Sequence, residues 1–438
     1  MRKHALLLGL AALILTPPFA QIAGAAESRL IETGVDVVQR TDENAVLLTL
    51  EAARKMALGA NPELAAAQRE LEAIAATVVQ AQARPNPELE TLVEDTRSAT
   101  RTTTLQLNQP LELGGKRAAR IDAAERGRDA ARAELNAKRA EIRATVTAAF
   151  FDTLVAQERL RLARAGVELA QRATDATRRR VLAGKISPIE GTKARVAESG
   201  VRVELKLAES ELATARKRLA STWGESAPRF ERVEGDLEML PPLPSRAGLE
   251  RRMDASPNLR RARIEVARRL ALAEIERSRR IPDLTVSLGA KRNNELGLDQ
   301  AVFGVSIPIP LFDRNQGNLL EALHRADKAR DELSATELRL SNELTQAFER
   351  LSVARSELES LKRDILPGAQ SAYDAVFKGF ELGKFSFLEV LDMQRTLLQA
   401  KSQGLRALVD AQRAAAEIER ILGEAAPEMD PAPIATQP

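Results

Sequence analysis

Between Leu333 and Leu398, apolar residues return with a period of seven. Leu333, Leu340, Ala347, Ala354 and Leu361 form one series. Leu344, Leu351, Leu358, Ile365 and Ala372 form a second, offset by four. Alternating spacings of three and four put both series on one helical face, which predicts the seam of a coiled coil. The seam stops at Phe380-Glu381-Leu382-Gly383-Lys384-Phe385-Ser386. There Gly383 suits the left-handed conformation that ends a helix, and Ser386 suits the cap of the next. Leu388, Leu391 and Leu398 start that next helix, so the stretch predicts a long hairpin with a tight tip.

An earlier stretch follows the same plan. Arg117 to Leu182 is helical in pattern and free of proline, with Leu135, Ile142, Val146, Ala149, Leu160, Ala163 and Val167 on its seam. At ~1.5 Å per residue it would reach about 100 Å. Ala183-Gly184-Lys185-Ile186-Ser187-Pro188 is its tip, and a return helix carries Leu205, Leu212 and Leu219 to Trp223.

Before each hairpin the period changes to two. Leu105, Leu107, Leu111 and Leu113 alternate with Thr104, Gln106, Asn108 and Glu112, and Glu88, Glu90 and Glu94 oppose Leu89, Thr91 and Val93. In the second copy Leu284, Val286, Leu288 and Ala290 share one face, as do Ala301, Phe303, Val305, Ile307, Ile309 and Leu311. Both pairs read as strands of roughly ten residues joined by turns, through Asp95–Thr100 and Asn293–Gly297. Such strands suit an outer-membrane barrel, yet four cannot close one, because the smallest have eight. Either the sheet is soluble and lies on the helices, or several chains share one barrel. Upstream, Leu47 to Ala83 is helical in pattern, broken at Asn61-Pro62, and Gly114-Gly115-Lys116 is a strand-to-helix junction rather than a phosphate loop.

The whole programme occurs twice. Pro87-Glu88-Leu89 matches Pro282-Asp283-Leu284 at an offset of 195, and Gly184-Lys185-Ile186-Ser187 matches Gly383-Lys384-Phe385-Ser386 at 199. Ordered matches at a nearly constant offset mean an internal duplication. The expected organisation is a signal peptide at 1–25 and a first repeat at 26–225, with its strand pair at 86–113 and hairpin at 114–223. A proline- and acid-rich linker at 226–245, expected to be irregular, leads to a second repeat at 246–424, with strand pair 281–312 and hairpin 314–422. A disordered tail at 425–438 closes the chain.

Composition narrows the classes. Alanine, leucine, arginine and glutamate dominate the 438 residues, and aromatics are 3%, which favours long helices. The absence of cysteine excludes disulfides, thiolate metal sites and a lipid anchor on an N-terminal cysteine. Arg2-Lys3-His4, the apolar run Ala5–Leu15 and Ala23-Gly24-Ala25 read as a secretory signal cleaved after Ala25. That leader holds two of the basic residues and no acid, so a formal charge of +3 becomes nearly neutral without it. Neutrality gives no argument for nucleic acid. No later apolar run approaches the ~20 residues of a membrane helix.

Taken in order, helix, strand pair and long hairpin, twice over behind a signal, the chain resembles the TolC family of outer-membrane efflux ducts, from about Leu47 to Glu424. Gln109-Pro110-Leu111-Glu112-Leu113-Gly114-Gly115-Lys116-Arg117 and Ile307-Pro308-Ile309-Pro310-Leu311-Phe312-Asp313-Arg314-Asn315-Gln316-Gly317 are similar to the CzcC-like branch, which serves heavy-metal cation pumps. The resemblance implies a mainly α fold with membrane β structure. Duplicated hairpins would build a periplasmic α-barrel, and four strands per chain a trimeric 12-stranded outer-membrane β-barrel. It implies a homotrimer seated in outer-membrane lipid, with a periplasmic adaptor and an inner-membrane RND pump as partners. Adaptor contacts carried over by position are Leu182, Gly184, Lys185 and Ser187 on one tip, and Leu382, Gly383, Lys384 and Ser386 on the other. Aromatics near the strands are few, mainly Phe303 and Phe312, so the usual aromatic girdles are thin.

The expected function is passive export, of divalent cations such as cobalt, zinc or cadmium. A drug or other small-molecule duct of the same fold stays open, as do a periplasmic adaptor and an exported coiled coil. No catalytic residue, cofactor or metal site is expected. His324 lies on a polar helical stretch, and the nucleophile elbow, metalloprotease helix and nucleotide loop are absent. The candidate lumen acids are Glu88, Glu90, Glu94, Glu112 and Asp283, with Asp374 near the periplasmic end. Such acids would concentrate cations without trapping them.

Overall fold

The computed structural model describes residues 47–236 and 240–423. The expected signal peptide and C-terminal tail lie outside the described residues.

Two short helices open the fold, α1 (Leu50–Ala60) and α2 (Pro62–Gln82). The break between them has a local cause. Asn61 takes extended backbone, its side chain accepts from the Glu63 and Leu64 amides, and Pro62 occupies the first helical position, where its missing N–H costs nothing. Leu47–Thr49, expected as helix, is instead a strand, β1. It pairs in parallel with β4 (Arg232–Glu234), within the segment expected to be irregular. The gain is burial. Leu48 and Val233 enter a core with Phe150, Phe151, Leu154, Trp223 and Phe230.

β2 (Glu88–Glu94), β3 (Thr102–Leu111), β5 (Leu284–Asn293) and β6 (Leu298–Ser306) form one antiparallel sheet in the order β2-β3-β5-β6. β3, the last strand of the first repeat, thus pairs with β5, the first of the second. Their register sets Leu105 opposite Ala290 and Leu107 opposite Leu288. β6 stops five residues before the expected Leu311, because Pro308 and Pro310 have no N–H to give a ladder.

α3 (Lys116–Leu182) is one helix of 67 residues, about 100 Å at ~1.5 Å each. It opens at Gly114 and Gly115, with φ of +66° and +72°. At Gly114 a side chain is excluded twice over, since a Cβ would also lie 2.7 Å from Ile281 Cβ. α4 (Pro188–Ser221) returns along it. α5 (Arg246–Met253) and α6 (Pro257–Ser278) precede the second strand pair. The second hairpin is α7 (Gln316–Ser360), a π-helical turn at Leu361–Ile365, α8 (Leu366–Glu381) and α9 (Phe387–Leu422).

That π turn corrects the predicted seam. Leu340, Leu344, Ala347, Leu351, Ala354, Leu358 and Leu361 are buried as expected, whereas Ile365 and Ala372 are exposed. A π turn accommodates one extra residue, so everything after it rotates by about 100°. Leu366, Ala369, Tyr373 and Val376 take the inward positions instead. Comparison of the repeats locates the insertion: Ala156, Leu160 and Ala163 correspond at an offset of 198 to Ala354, Leu358 and Leu361, but Val167, Ala170 and Thr177 at 199 to Leu366, Ala369 and Val376.

Candidate duct wall and hairpin tips

The two faces of the sheet differ in kind. Leu89, Leu105, Leu107, Val286, Leu288, Phe303 and Val305 lie on one face, and all are exposed in the single chain, Phe303 at 81%. The other face is a hydrogen-bonded polar lattice. The Glu90 carboxylate accepts from Gln106 (2.7 Å) and Asn108 (2.8 Å), and Ser287 donates to Asn108 (2.6 Å). Gly289 keeps that lattice close-packed, since a Cβ there would meet Gln106 Cβ at 2.7 Å. Exposed apolar groups on one side and networked amides and carboxylates on the other match a wall with lipid outside and water inside.

The candidate lumen acids do not form one group. Glu88, Glu90 and Glu94 share the polar face of β2, Glu94 lying 3.4 Å from Lys291. Glu112 and Asp283 sit below the sheet, at the strand-to-helix junction. Both oxygens of Glu112 are held by the Arg120 guanidinium, which keeps its carboxyl below the usual carboxylate range. Asp283 accepts from Lys116 Nζ (2.7 Å) and the Leu113 amide (3.1 Å). Asp374 is exposed on α8 and accepts from Gln370 (2.9 Å). His324 is exposed on α7. Among the described residues no three His, Asp or Glu side chains converge to hold a metal ion.

The helices carry a second polar lattice that the sequence reading missed. On α3, Phe150, Leu154 and Gln157 face the β1–β4 belt, where Gln157 accepts from the Val233 amide (2.8 Å) and donates to its carbonyl (3.0 Å). Asp152 and Arg159 lie about half a turn away, beside Val155. Arg120, Gly127, Glu134 and Val155 are multiples of seven apart, so they share that opposite stripe. Along it run the pairs Glu134–Arg261 (2.6 Å), Glu265–Arg268 (2.8 Å) and Asp152–Arg413 (2.6 Å). A groove of about 940 Å³ beside α3 includes Glu112, Arg120, Glu134 and Glu265 in its lining. The signal was present in the sequence as a heptad of charged and small residues, Arg120, Gly127 and Glu134, running one position ahead of the apolar seam that begins at Leu135.

The two tips are built alike. The Gly184 amide donates to the Val181 carbonyl (3.0 Å) and Lys185 to Arg180 (2.9 Å). Gly383 donates to Phe380 (2.9 Å) and Lys384 to Gly379 (2.8 Å) in the same pattern. Both are paired 5→2 and 6→1 closures of a helix end, and both glycines have positive φ, +67° and +79°. Ser187 and Ser386 cap the returning helices. At the second tip the Glu389 carboxylate also accepts from the Ser386 amide (2.7 Å), which lowers its carboxyl pKa. Arg180 joins the tips, its guanidinium 4.3 Å from the Phe380 ring centroid and bonded to the Phe380 carbonyl. Leu182 (81%) and Leu382 (66%) project into solvent beside the exposed Lys185 and Lys384.

Comparison with known proteins agrees with this geometry. The family described as "Outer membrane efflux protein" matches residues 53–225 and 249–424. The chain is 48% identical over 423 residues to the cobalt-zinc-cadmium resistance protein CzcC of Cupriavidus metallidurans, covering 97% of this chain and all of that protein. It is 29% identical to the nickel and cobalt resistance protein CnrC of the same organism, over 68% of this chain and 72% of that one. Among solved structures a crystal structure of CusC superposes with a TM-score of 0.74 at 20% identity, covering 86% of this chain and 92% of that one, which is a likeness of fold.

Proposed function

The chain belongs to the outer membrane efflux protein family, and from that premise we propose that it is the outer-membrane duct of a tripartite pump that exports divalent heavy-metal cations. Working as a homotrimer, it would join twelve strands into one barrel and its hairpins into one periplasmic tunnel.

The observation that carries the ring is the identity of its two edges at every level. In the sheet, β2 and β6 have one neighbour each. Among the helices α2 contacts α3, α3 contacts α6 and α6 contacts α7, while nearer the tips α4 contacts α3, α3 contacts α9 and α9 contacts α8. First-repeat elements β2, α2 and α4 therefore form one edge, and second-repeat elements β6, α7 and α8 the other. Inside the chain the last sheet strand of repeat one already meets the first of repeat two, as β3 meets β5. Repeating that contact between chains sets β6 beside β2 of the next copy. Such head-to-tail contacts close into a ring if the rotation closes.

Cargo is read from the relatives' metal resistance together with the polar inner faces. The tips stand about 100 Å below the sheet and present paired apolar and basic groups to an adaptor. A strain lacking the gene, complemented or not, and challenged with cobalt, zinc, cadmium and nickel salts beside a drug panel, tests the reading. Loss of metal tolerance alone is expected. Sensitivity to drugs alone would move the cargo to small organic molecules.

A further inference from the structure

α4 carries an unpartnered face. Ala194, Ala208, Leu212, Ala215 and Leu219 are buried on its α3 side. On the opposite side Ile189, Val196 and Val203, seven apart, are 60%, 68% and 61% exposed. A seam-spaced apolar stripe left in solvent marks an interaction surface.

The other edge of the chain carries a stripe that fits it. Because the π turn rotates α8, Ile365, Gly368, Ala372 and Ala375 face outward at spacings of three, four and three, and all four are exposed. α8 runs toward the tip and α4 away from it, so the two would meet antiparallel.

Internal duplication supplies the register. Within the chain α3 lies on α9, and a Cβ on Gly166 would stand 3.8 Å from both Gln394 Nε2 and Leu398 Cδ1, one turn apart on α9. At the offset of 199 these positions correspond to Ile365 on α8, lying between Arg195 and Ser199 on α4. Antiparallel partners advance on one helix as they retreat on the other. Three residues along, Gly368 falls between Thr192 and Val196, and a heptad further Ala375 falls beside Ile189. Each large side chain then meets a small one, which is how close-packed helices interdigitate.

Resting on the ring reading above, we propose that α4 docks on α8 of the next copy in this register, with Val196 against Gly368 and Ile189 against Ala375. The π turn is thus what turns Ile365 and its successors from the chain's own seam to the seam between chains.

The chain has no cysteine, so paired cysteines report on this contact without background. Val196→Cys with Gly368→Cys, and separately Ile189→Cys with Ala375→Cys, are oxidised in isolated outer membranes. Each should shift most of the protein, on non-reducing denaturing gels, from chain mass to three times chain mass. Val196→Cys with Ala375→Cys is one heptad out of register, roughly 10 Å along the axis, and should stay at chain mass. Sizing in detergent separates the two levels of the argument. A trimer in which neither matched pair cross-links, or in which the mismatched pair links as well, overturns the docking register and leaves the ring standing. A protein that sizes as monomer overturns both.

Discussion

The tip glycines give the sharpest separation of docking from assembly. Gly383 has φ near +79°, donates to the Phe380 carbonyl at 2.9 Å, and has nothing within 4 Å of where a Cβ would be. Alanine there pays only the left-handed backbone, about 1–2 kcal/mol. Proline fixes φ at about −65°, so the turn cannot keep its shape. The Gly383 hydrogen bond is then lost at about 1 kcal/mol, and the neighbouring Lys384–Gly379 bond strains with it. Displacing Ser386 from its cap adds about 1 kcal/mol, which brings the local cost to roughly 3 kcal/mol or more. That cost falls about 100 Å from the sheet, so trimer and insertion should survive. The assay is metal tolerance of a complemented deletion strain, at protein levels matched by immunoblot and trimer confirmed by sizing. Gly383→Ala should keep most tolerance, and Gly383→Pro or Gly184→Pro should lose it. Full tolerance in a proline variant that assembles normally would refute docking through the tips.

Gly114→Ala should destabilise the purified protein by about 2–5 kcal/mol, combining left-handed strain with overpacking on Ile281, against about 1–2 kcal/mol for Gly115→Ala, whose Cβ would meet nothing; thermal unfolding of the two variants checks the order. Arg420 holds the Glu417 carboxyl below its ordinary value, so this contribution is intact above the unfolded carboxylate pKa of about 4.3 and is lost as pH falls through the lower folded value. The stability gap between wild type and Glu417→Gln should accordingly shrink below about pH 4, as read by acid-dependent melting. Zinc titrated into the detergent-solubilised protein should reveal no site tighter than the micromolar range, and a stoichiometric submicromolar site lost on mutating His324 or the candidate lumen carboxylates would show that the duct selects its cargo.

Much of this architecture was legible in the sequence because its signals are periodic. Seven-residue returns gave α3, α4, α7 and α9, alternation gave the strands, and Gly-Lys-x-Ser marked both tips. The π turn was illegible for a physical reason. Leu366, Tyr373 and Val376 are as apolar as Ile365 and Ala372, so either phase fits the pattern until packing chooses. β1 was missed because three residues carry no period and its partner β4 lies far along the chain. Glu112 and Asp283 were recognisable as acids on or beside polar strand faces, but their partners Arg120 and Lys116 belong to the next helix. Only the fold of the junction brings those charges together.

Those pairings bear on how a metal duct should work. Zinc and cobalt are held tightly by thiolate and imidazole, and the described wall offers carboxylates already engaged by arginine, lysine or amides. A cation drawn to Asp152 must compete with Arg413 at 2.6 Å, and one drawn to Glu112 with the two-pronged grip of Arg120. At an effective dielectric near 20, two unit charges 4 Å apart interact by about 4 kcal/mol, and solvent screening lowers this on exposed pairs. A cation would have to offset that pairing to settle at either carboxylate. On the polar strand face the same holds, Glu90 being engaged by Gln106 and Asn108 and Glu94 by Lys291. If those faces line the lumen as proposed, carboxylates paired along the way leave no trap for the ion, and choice of cargo would fall to the pump that loads the tunnel.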